Sequence, residues 1–216
     1  IYSDELPEIE EFINKFVPVL IVRSQQVPER LADLKKPKTK EQFSEIMKRI
    51  FRFVNVRKDI VAEQSGGTAR HFDATDENSV REYFQTYLPQ RIALNVAHMH
   101  NAGIAHYNLN EENVSGVGSI YDLDTAWGNP IDGQEITIEN IKSDLTNLIA
   151  GFSKLCTENE QSPWLKAIFD NGGSNKFLQS FIDNYTKTVQ YHVPEKFDIN
   201  LWYQQQAEKY FKSAVK

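Results

Sequence analysis

The 216-residue sequence has a single cysteine, Cys156, so no intrachain disulfide can staple the fold, and a reducing compartment is the easier reading. Long apolar runs are also missing. The best, Val17-Pro18-Val19-Leu20-Ile21-Val22, falls far short of the roughly 18 residues a membrane span needs, so no membrane partner is expected. Positive charge is in deficit, with 24 Lys and Arg against 30 Asp and Glu and a net charge of -6. A nonspecific grip on nucleic acid or anionic lipid is therefore disfavoured. The basic clusters Lys35-Lys36-Pro37-Lys38 and Lys48-Arg49 read as solvated helix faces.

The opening Ile1-Tyr2-Ser3-Asp4-Glu5 has no initiator Met, basic leader or small-residue cleavage site. The expectation is a piece with sequence missing upstream, resident in the cytoplasm. No zinc-type spacing is present, because His98, His100 and His106 straddle a helix end without a cysteine or acidic cluster nearby. No nucleophile elbow surrounds Ser153 or Ser162. Cys156 lies in the apolar context Gly151-Phe152-Ser153-Lys154-Leu155-Cys156 and reads as a core filler.

What is there is an ordinary globular composition, 40% hydrophobic and 25% charged, with enough length for one substantial core. In residues 6–16, Ile9, Phe12, Ile13 and Phe16 recur at helical spacing, and acids crowd the N-terminal half. Residues 17–22 read as a buried strand and 29–34 as a short helix. Residues 40–56 carry Phe43, Ile46, Met47, Ile50, Phe51 and Val54 on one face, which predicts a core-facing helix. The pattern lapses over 57–78, where Gly66-Gly67 suggests a loop, and Asp76 or Ser79 is placed to cap the next helix. That helix covers 80–101, with Pro89 bending or dividing it and Gly103 stopping it. Residues 104–124 are strand-like and turn-rich, with Gly116 and Gly118 bracketing a tight reversal. Helical spacing returns over 138–155, 164–191 and 201–215. The fold class is mostly α (α+β), with one small β-hairpin near the middle.

The segment His106-Tyr107-Asn108-Leu109-Asn110-Glu111-Glu112-Asn113, followed by Tyr121-Asp122-Leu123-Asp124-Thr125-Ala126, resembles the protein-kinase superfamily. His106, Leu109 and Asn113 fall in register with the catalytic-loop pattern H-R-D-L-x-x-x-N, with Tyr107 for Arg and Asn108 for Asp, and Asp122-Leu123-Asp124 matches the metal-binding D-F-G element. The run Asp122 to Ala126 is also similar to the I-D-F-D-x-A form of aminoglycoside and choline kinase-like phosphotransferases. Asp144, in Ser143-Asp144-Leu145, resembles the helix aspartate that braces the kinase catalytic loop through its backbone.

The resemblance implies a kinase-like C-terminal lobe over residues 27–216, with residues 1–26 a remnant of the N-lobe (helix, strand and hinge). It implies His106 and Asn108 at the catalytic position and Asn113 and Asp122 as ligands for Mg²⁺ on ATP, with Asp124 a possible third metal ligand and Asp144 structural. A hard cation wants such oxygen donors, and phosphoryl transfer is mainly positioning and charge stabilisation. Trp127 is placed to pack in the core or to shape a substrate loop.

Two departures qualify the activity. Asn108 stands where a kinase has the aspartate that takes the acceptor proton, and a neutral amide is not a useful base. No Gly-rich phosphate loop precedes the hinge-like segment, Lys15 is no substitute for the N-lobe lysine, and Glu8, Glu10 and Glu11 read as surface acids. ATP and Mg²⁺ are thus expected of a longer protein carrying an upstream N-lobe, with no tight binding by this fragment. The expected function is a pseudokinase acting through a protein partner or nucleotide; the alternatives are an active phosphotransferase and a helical interaction domain.

Overall fold

The computed structural model describes residues 29–123, 126, 136–157, 163–190 and 197–213. The expected helix and strand of residues 1–26, together with Asp124 and Trp127, lie outside them. The described chain is mostly helical and has no sheet. After a 3-10 turn at Leu31–Lys35 come α1 (Lys40–Ser65), α2 (Glu77–Glu82), a π turn (Tyr83–Tyr87) and α3 (Leu88–Asn101). Then follow α4 (Ile138–Thr157), α5 (Pro163–Phe169), α6 (Gly173–Thr188) and α7 (Ile199–Ser213).

Helix α1 begins where the sequence predicts. Thr39 accepts from the Gln42 N–H at 3.2 Å, and the Gln42 side chain returns the bond to the Thr39 N–H at 3.3 Å, so each satisfies an orphan donor of the first turn. Its end is a correction, since the helix runs on to Ser65 and stops at Gly66 in the left-handed region (φ 70°). The expected loop over 57–78 is shorter for that reason. The core-facing apolar pattern stops at Val54, the last buried residue of α1, but the backbone continues because the returning chain braces it. Asn55 pairs through its side-chain amide with both the N–H and the C=O of Phe72, at 2.8 and 2.9 Å.

Asp76 rather than Ser79 caps α2, accepting from Asn78 N–H at 3.0 Å, while the Ser79 hydroxyl receives Asp73 N–H at 2.8 Å. Pro89 sits in the first turn of α3 and has no N–H for the carbonyl one turn back. The widened turn Tyr83–Tyr87 absorbs the misfit, with Leu88 N–H reaching Tyr83 C=O. The predicted helix over 164–191 divides into α5 and α6, because Asn171 (φ 52°) and Gly172 (φ 86°) both turn left-handed.

One apolar core joins all these elements. Helix α3 packs chiefly on α6, and α4 on α7. Phe152 of α4 meets Phe177 and Phe181 of α6 edge-on, at 4.7 and 5.3 Å between ring centroids, and Phe181 stacks on Tyr203 of α7 at 5.6 Å. Edge-to-face pairs of this kind add to plain area burial. Cys156 is buried in this core, and burial pushes its thiol well above the ordinary range, so it acts as the apolar filler read from the sequence. No helix among the described residues is long and apolar enough to cross a membrane.

Candidate functional site

Between α3 and α4 the chain leaves helical structure. Its backbone is anchored by Ala105, Leu109 and Val114, all fully buried, and by bonds to the 3-10 turn, from Leu31 N–H to Val114 C=O at 2.8 Å and from Ala32 N–H to Glu111 C=O at 3.1 Å. The predicted hairpin is reduced to a single antiparallel bridge, Val114 with Ile120, so no ladder forms. Gly116 and Gly118 do sit at its reversal, where Gly118 takes φ 83°.

Asp144 organises the loop from α4. Its carboxylate has no exposed surface, and it accepts from His106 N–H through Oδ2 and from Tyr107 N–H through Oδ1, each at 2.7 Å. Asp144 thereby ties two consecutive loop amides to α4. Tyr107 takes a left-handed backbone (φ 62°), uncommon for a bulky residue, and its C=O accepts from the Asn147 side chain at 3.3 Å. Two bonds from one rigid helix hold both sides of that turn.

His100 completes the support, a role the sequence reading missed when it weighed this residue only as a zinc ligand. Its Nε2 lies 3.1 Å from Asp144 Oδ2, and its Nδ1 lies 2.8 Å from the Tyr185 hydroxyl on α6. A carboxylate can only accept, so Nε2 carries the proton there. Burial, with Asp144 close by, pushes the Tyr185 phenol far above its ordinary range and keeps it protonated. Sequence spacing could have hinted at His100, one helical turn after Val96 on the buried face of α3, but nothing in the sequence paired it with Tyr185.

The other predicted residues converge on the same loop. His106 Nε2 donates to Tyr121 C=O at 2.6 Å, and Tyr121 N–H donates to Asn113 C=O at 2.9 Å, so the backbone entering Asp122 is tied to both. Asn113 is 5% exposed and donates Nδ2 to Asn108 C=O at 2.8 Å. Asn108 is exposed and its Oδ1 accepts from Asn110 Nδ2 at 2.8 Å. Asp122 is exposed and left-handed (φ 58°). His106, Asn108, Asn113 and Asp144 thus belong to one hydrogen-bonded unit, which reaches Asp122 only through its bonded neighbour Tyr121, while Asp124 lies outside the described residues.

The sequence reading also missed Glu111. Its side chain is 6% exposed, with Oε1 2.7 Å from Lys154 Nζ on α4. The loop approaches α4 so closely that a Cβ on Gly151 would lie 2.9 Å from both Glu111 N and Oε2. Only a glycine admits that contact.

Chemically, the loop presents an exposed carboxylate at Asp122, a primary amide at Asn113 and an exposed amide at Asn108, all on backbone fixed from behind. Among the described residues no group of three or more His, Cys, Asp and Glu side chains is gathered to hold a metal ion. No family model, curated protein or solved structure matches this chain.

Proposed function

We propose that the chain is the C-terminal lobe of a kinase-like phosphotransferase scaffold, impaired in catalysis, that works through binding a nucleotide or a protein partner. The observation that carries this reading is the Asp144 carboxylate accepting from two consecutive loop amides, His106 and Tyr107, at 2.7 Å each. Such bracing fixes the backbone on which His106, Asn108 and Asn113 stand in the catalytic-loop pattern.

The donor set suits the β- and γ-phosphates of ATP with Mg²⁺. With Asn113 Nδ2 committed to Asn108 C=O, its Oδ1 is the end of the amide left for a hard cation, and Asp122 adds an exposed carboxylate. Bound Mg²⁺ would supply charge neutralisation on the phosphates. The chain's own part would be to carry these oxygens on a fixed backbone, a reading supported by the His106 to Tyr121 and Tyr121 to Asn113 bonds beside Asp122. Asn108 hydrogen-bonds an acceptor hydroxyl without taking its proton, which accounts for the impairment.

The test is calorimetric titration with Mg-ATP, using the natural protein that carries this chain. Binding that needs Mg²⁺ and weakens at least tenfold in Asp122→Ala supports the reading. Binding indifferent to Asp122, or none at all, leaves a helical interaction domain and removes the nucleotide site.

A further inference from the structure

Helix α1 outruns the core it packs on. Past Val54 none of its residues is buried, yet Phe53, Val56 and Ile60 recur at helical spacing and are 41%, 56% and 51% exposed. The packing that does exist along this stretch uses another side of the helix. Asn55 pairs with Phe72, Lys58 Nζ lies 4.1 Å over the Phe72 ring, and Asp59 meets His71 at 2.6 Å. At about 100° per residue, these three stand on a different face from Phe53, Val56 and Ile60. An apolar stripe is left exposed, and by helical angle Arg52 and Arg57 flank it; of the other cations in this stretch, Lys48 pairs with Glu45, Arg49 pairs with Glu29, and Lys58 stands on the far face.

We propose that this stripe is the docking surface for the chain's own acidic segment, residues 6–16. Three observations select that occupant. Charge is complementary, since the segment carries Glu8, Glu10 and Glu11 ahead of its one cation, Lys15, while Arg52 and Arg57 flank the stripe. Pattern is complementary, because Ile9, Phe12, Ile13 and Phe16 recur at the spacing of an amphipathic helix that lays an apolar face into an apolar groove. The tether is in place as well. Glu29 is fixed beside α1, its carboxylate 2.7 Å from Arg49 and its C=O accepting from Gly116 N–H.

Arg49 lies one turn before Phe53, on the same side of the helix. From Arg49 to Ile60 the stripe runs about 16 Å at 1.5 Å per residue. The roughly dozen residues linking Phe16 to Glu29 reach up to about 45 Å when extended, so the connection does not limit docking. A linkage this short also gives the segment a high effective concentration at the stripe. The proposal is independent of the phosphotransferase reading, because it uses no residue of the candidate site.

Amide hydrogen exchange on the whole chain, read by peptide mass spectrometry, tests it. Residues 6–16 are expected to exchange at least tenfold more slowly than an unstructured peptide of the same sequence. The triple substitution Phe53→Ser, Val56→Ser, Ile60→Ser should abolish that protection while the amides of α3 and α4 keep theirs. From the other side, Glu8→Lys with Glu11→Lys should weaken it, and 0.5 M salt should reduce the difference between this double variant and the parent. Unprotected residues 6–16 in the parent, or protection that survives the triple substitution, overturns the proposal. Protection that rises with protein concentration alongside dimer sedimentation assigns the stripe to a second copy instead. Phe53-dependent pelleting with phosphatidylserine vesicles, with residues 6–16 unprotected, assigns it to a lipid surface.

Discussion

Asp144 and His100 meet in the interior at 3.1 Å, neither with any exposed side-chain surface, and the same Asp144 oxygen also receives His106 N–H. A carboxylate from α4 is thereby held in place by a ring from α3 while it holds the loop between them. Buried charge of this kind is tolerable only when its lone pairs are filled, and here three donors fill them.

Removing Asp144 should therefore be costly. Asp144→Ala orphans two backbone N–H groups and one imidazole N–H, each worth about 1–3 kcal/mol when left buried without a partner. Such losses are not additive, and about 3–5 kcal/mol overall is expected, measured as a fall in urea midpoint. Asp144→Asn keeps the shape but can accept at only one end, so its loss should be intermediate. Equal stability of the two variants would show that charge, not acceptor count, is what the site requires.

His100 and Tyr185 should prove energetically coupled. In a cycle of His100→Ala, Tyr185→Phe and the double variant, the shared bond at 2.8 Å predicts a coupling of about 0.5–3 kcal/mol. Tyr185→Phe alone leaves His100 Nδ1 without its hydroxyl partner. Chemical denaturation of the four proteins measures the term, and strict additivity would separate Tyr185 from the network.

Gly151→Ala sets two effects against each other. Alanine is the better helix former, by about 1 kcal/mol in a helix interior. The added Cβ, however, would stand 2.9 Å from the Glu111 backbone nitrogen, which cannot rotate away as a side chain can. Overpacking costs about 1–3 kcal/mol, so net destabilisation is expected. In NMR spectra the largest amide shifts should fall at residues 105–113. A stabilised protein would mean that the loop is free to move off α4.

The sequence made much of this legible where one element's own pattern sufficed. The apolar face of residues 43–54 placed the start and the packing of α1, while the capping box at Thr39 was recognised only in the structure. Its last turns were not legible, because they are held by Asn55 bonding to Phe72, a contact between segments with no periodic signature. The π turn was hidden for a similar reason: Pro89 signals a defect but not how the backbone resolves it. In the candidate site, register singled out His106, Asn108, Asn113 and Asp122 as candidates. His100, Glu111 and Tyr185 were not, since their roles depend on partners brought from α3, α4 and α6.

Alkaline pH should destabilise the fold. Burial holds the Cys156 thiol and the Tyr83 and Tyr203 phenols protonated well beyond their ordinary ranges. A group that keeps its proton more tightly when folded leaves stability unchanged below its unfolded pKa. Above it, the unfolded state gains by ionising, so stability falls as pH rises. The decline should begin near the unfolded thiol value, about 8.5, and steepen near the phenol value, about 10. Cys156→Ala should remove the first part of the slope, although it creates a cavity. The Tyr203 hydroxyl is buried without a hydrogen-bond partner among the described residues. Tyr203→Phe should then be neutral or stabilising by about 1 kcal/mol at pH 7 and should flatten the second part.

Asn108→Asp separates scaffold from chemistry. Asn108 is exposed, and its Oδ1 accepts from Asn110 Nδ2 at 2.8 Å, a bond that a carboxylate keeps. The loop backbone at this position is held by Asn113 Nδ2 on the Asn108 C=O, which the substitution does not alter. Stability should thus stay within about 0.5 kcal/mol of the parent, as for most exposed substitutions. A general base contributes about 10²- to 10⁴-fold in rate, so on the phosphotransferase reading proposed above, phosphate transfer from Mg-ATP, measured as ADP formed, should rise by about that factor in the natural protein. Asp122→Ala added to Asn108→Asp should abolish the gain. An unchanged rate in a variant that still binds Mg-ATP would mean that the loop serves recognition, with no acceptor hydroxyl brought to position 108.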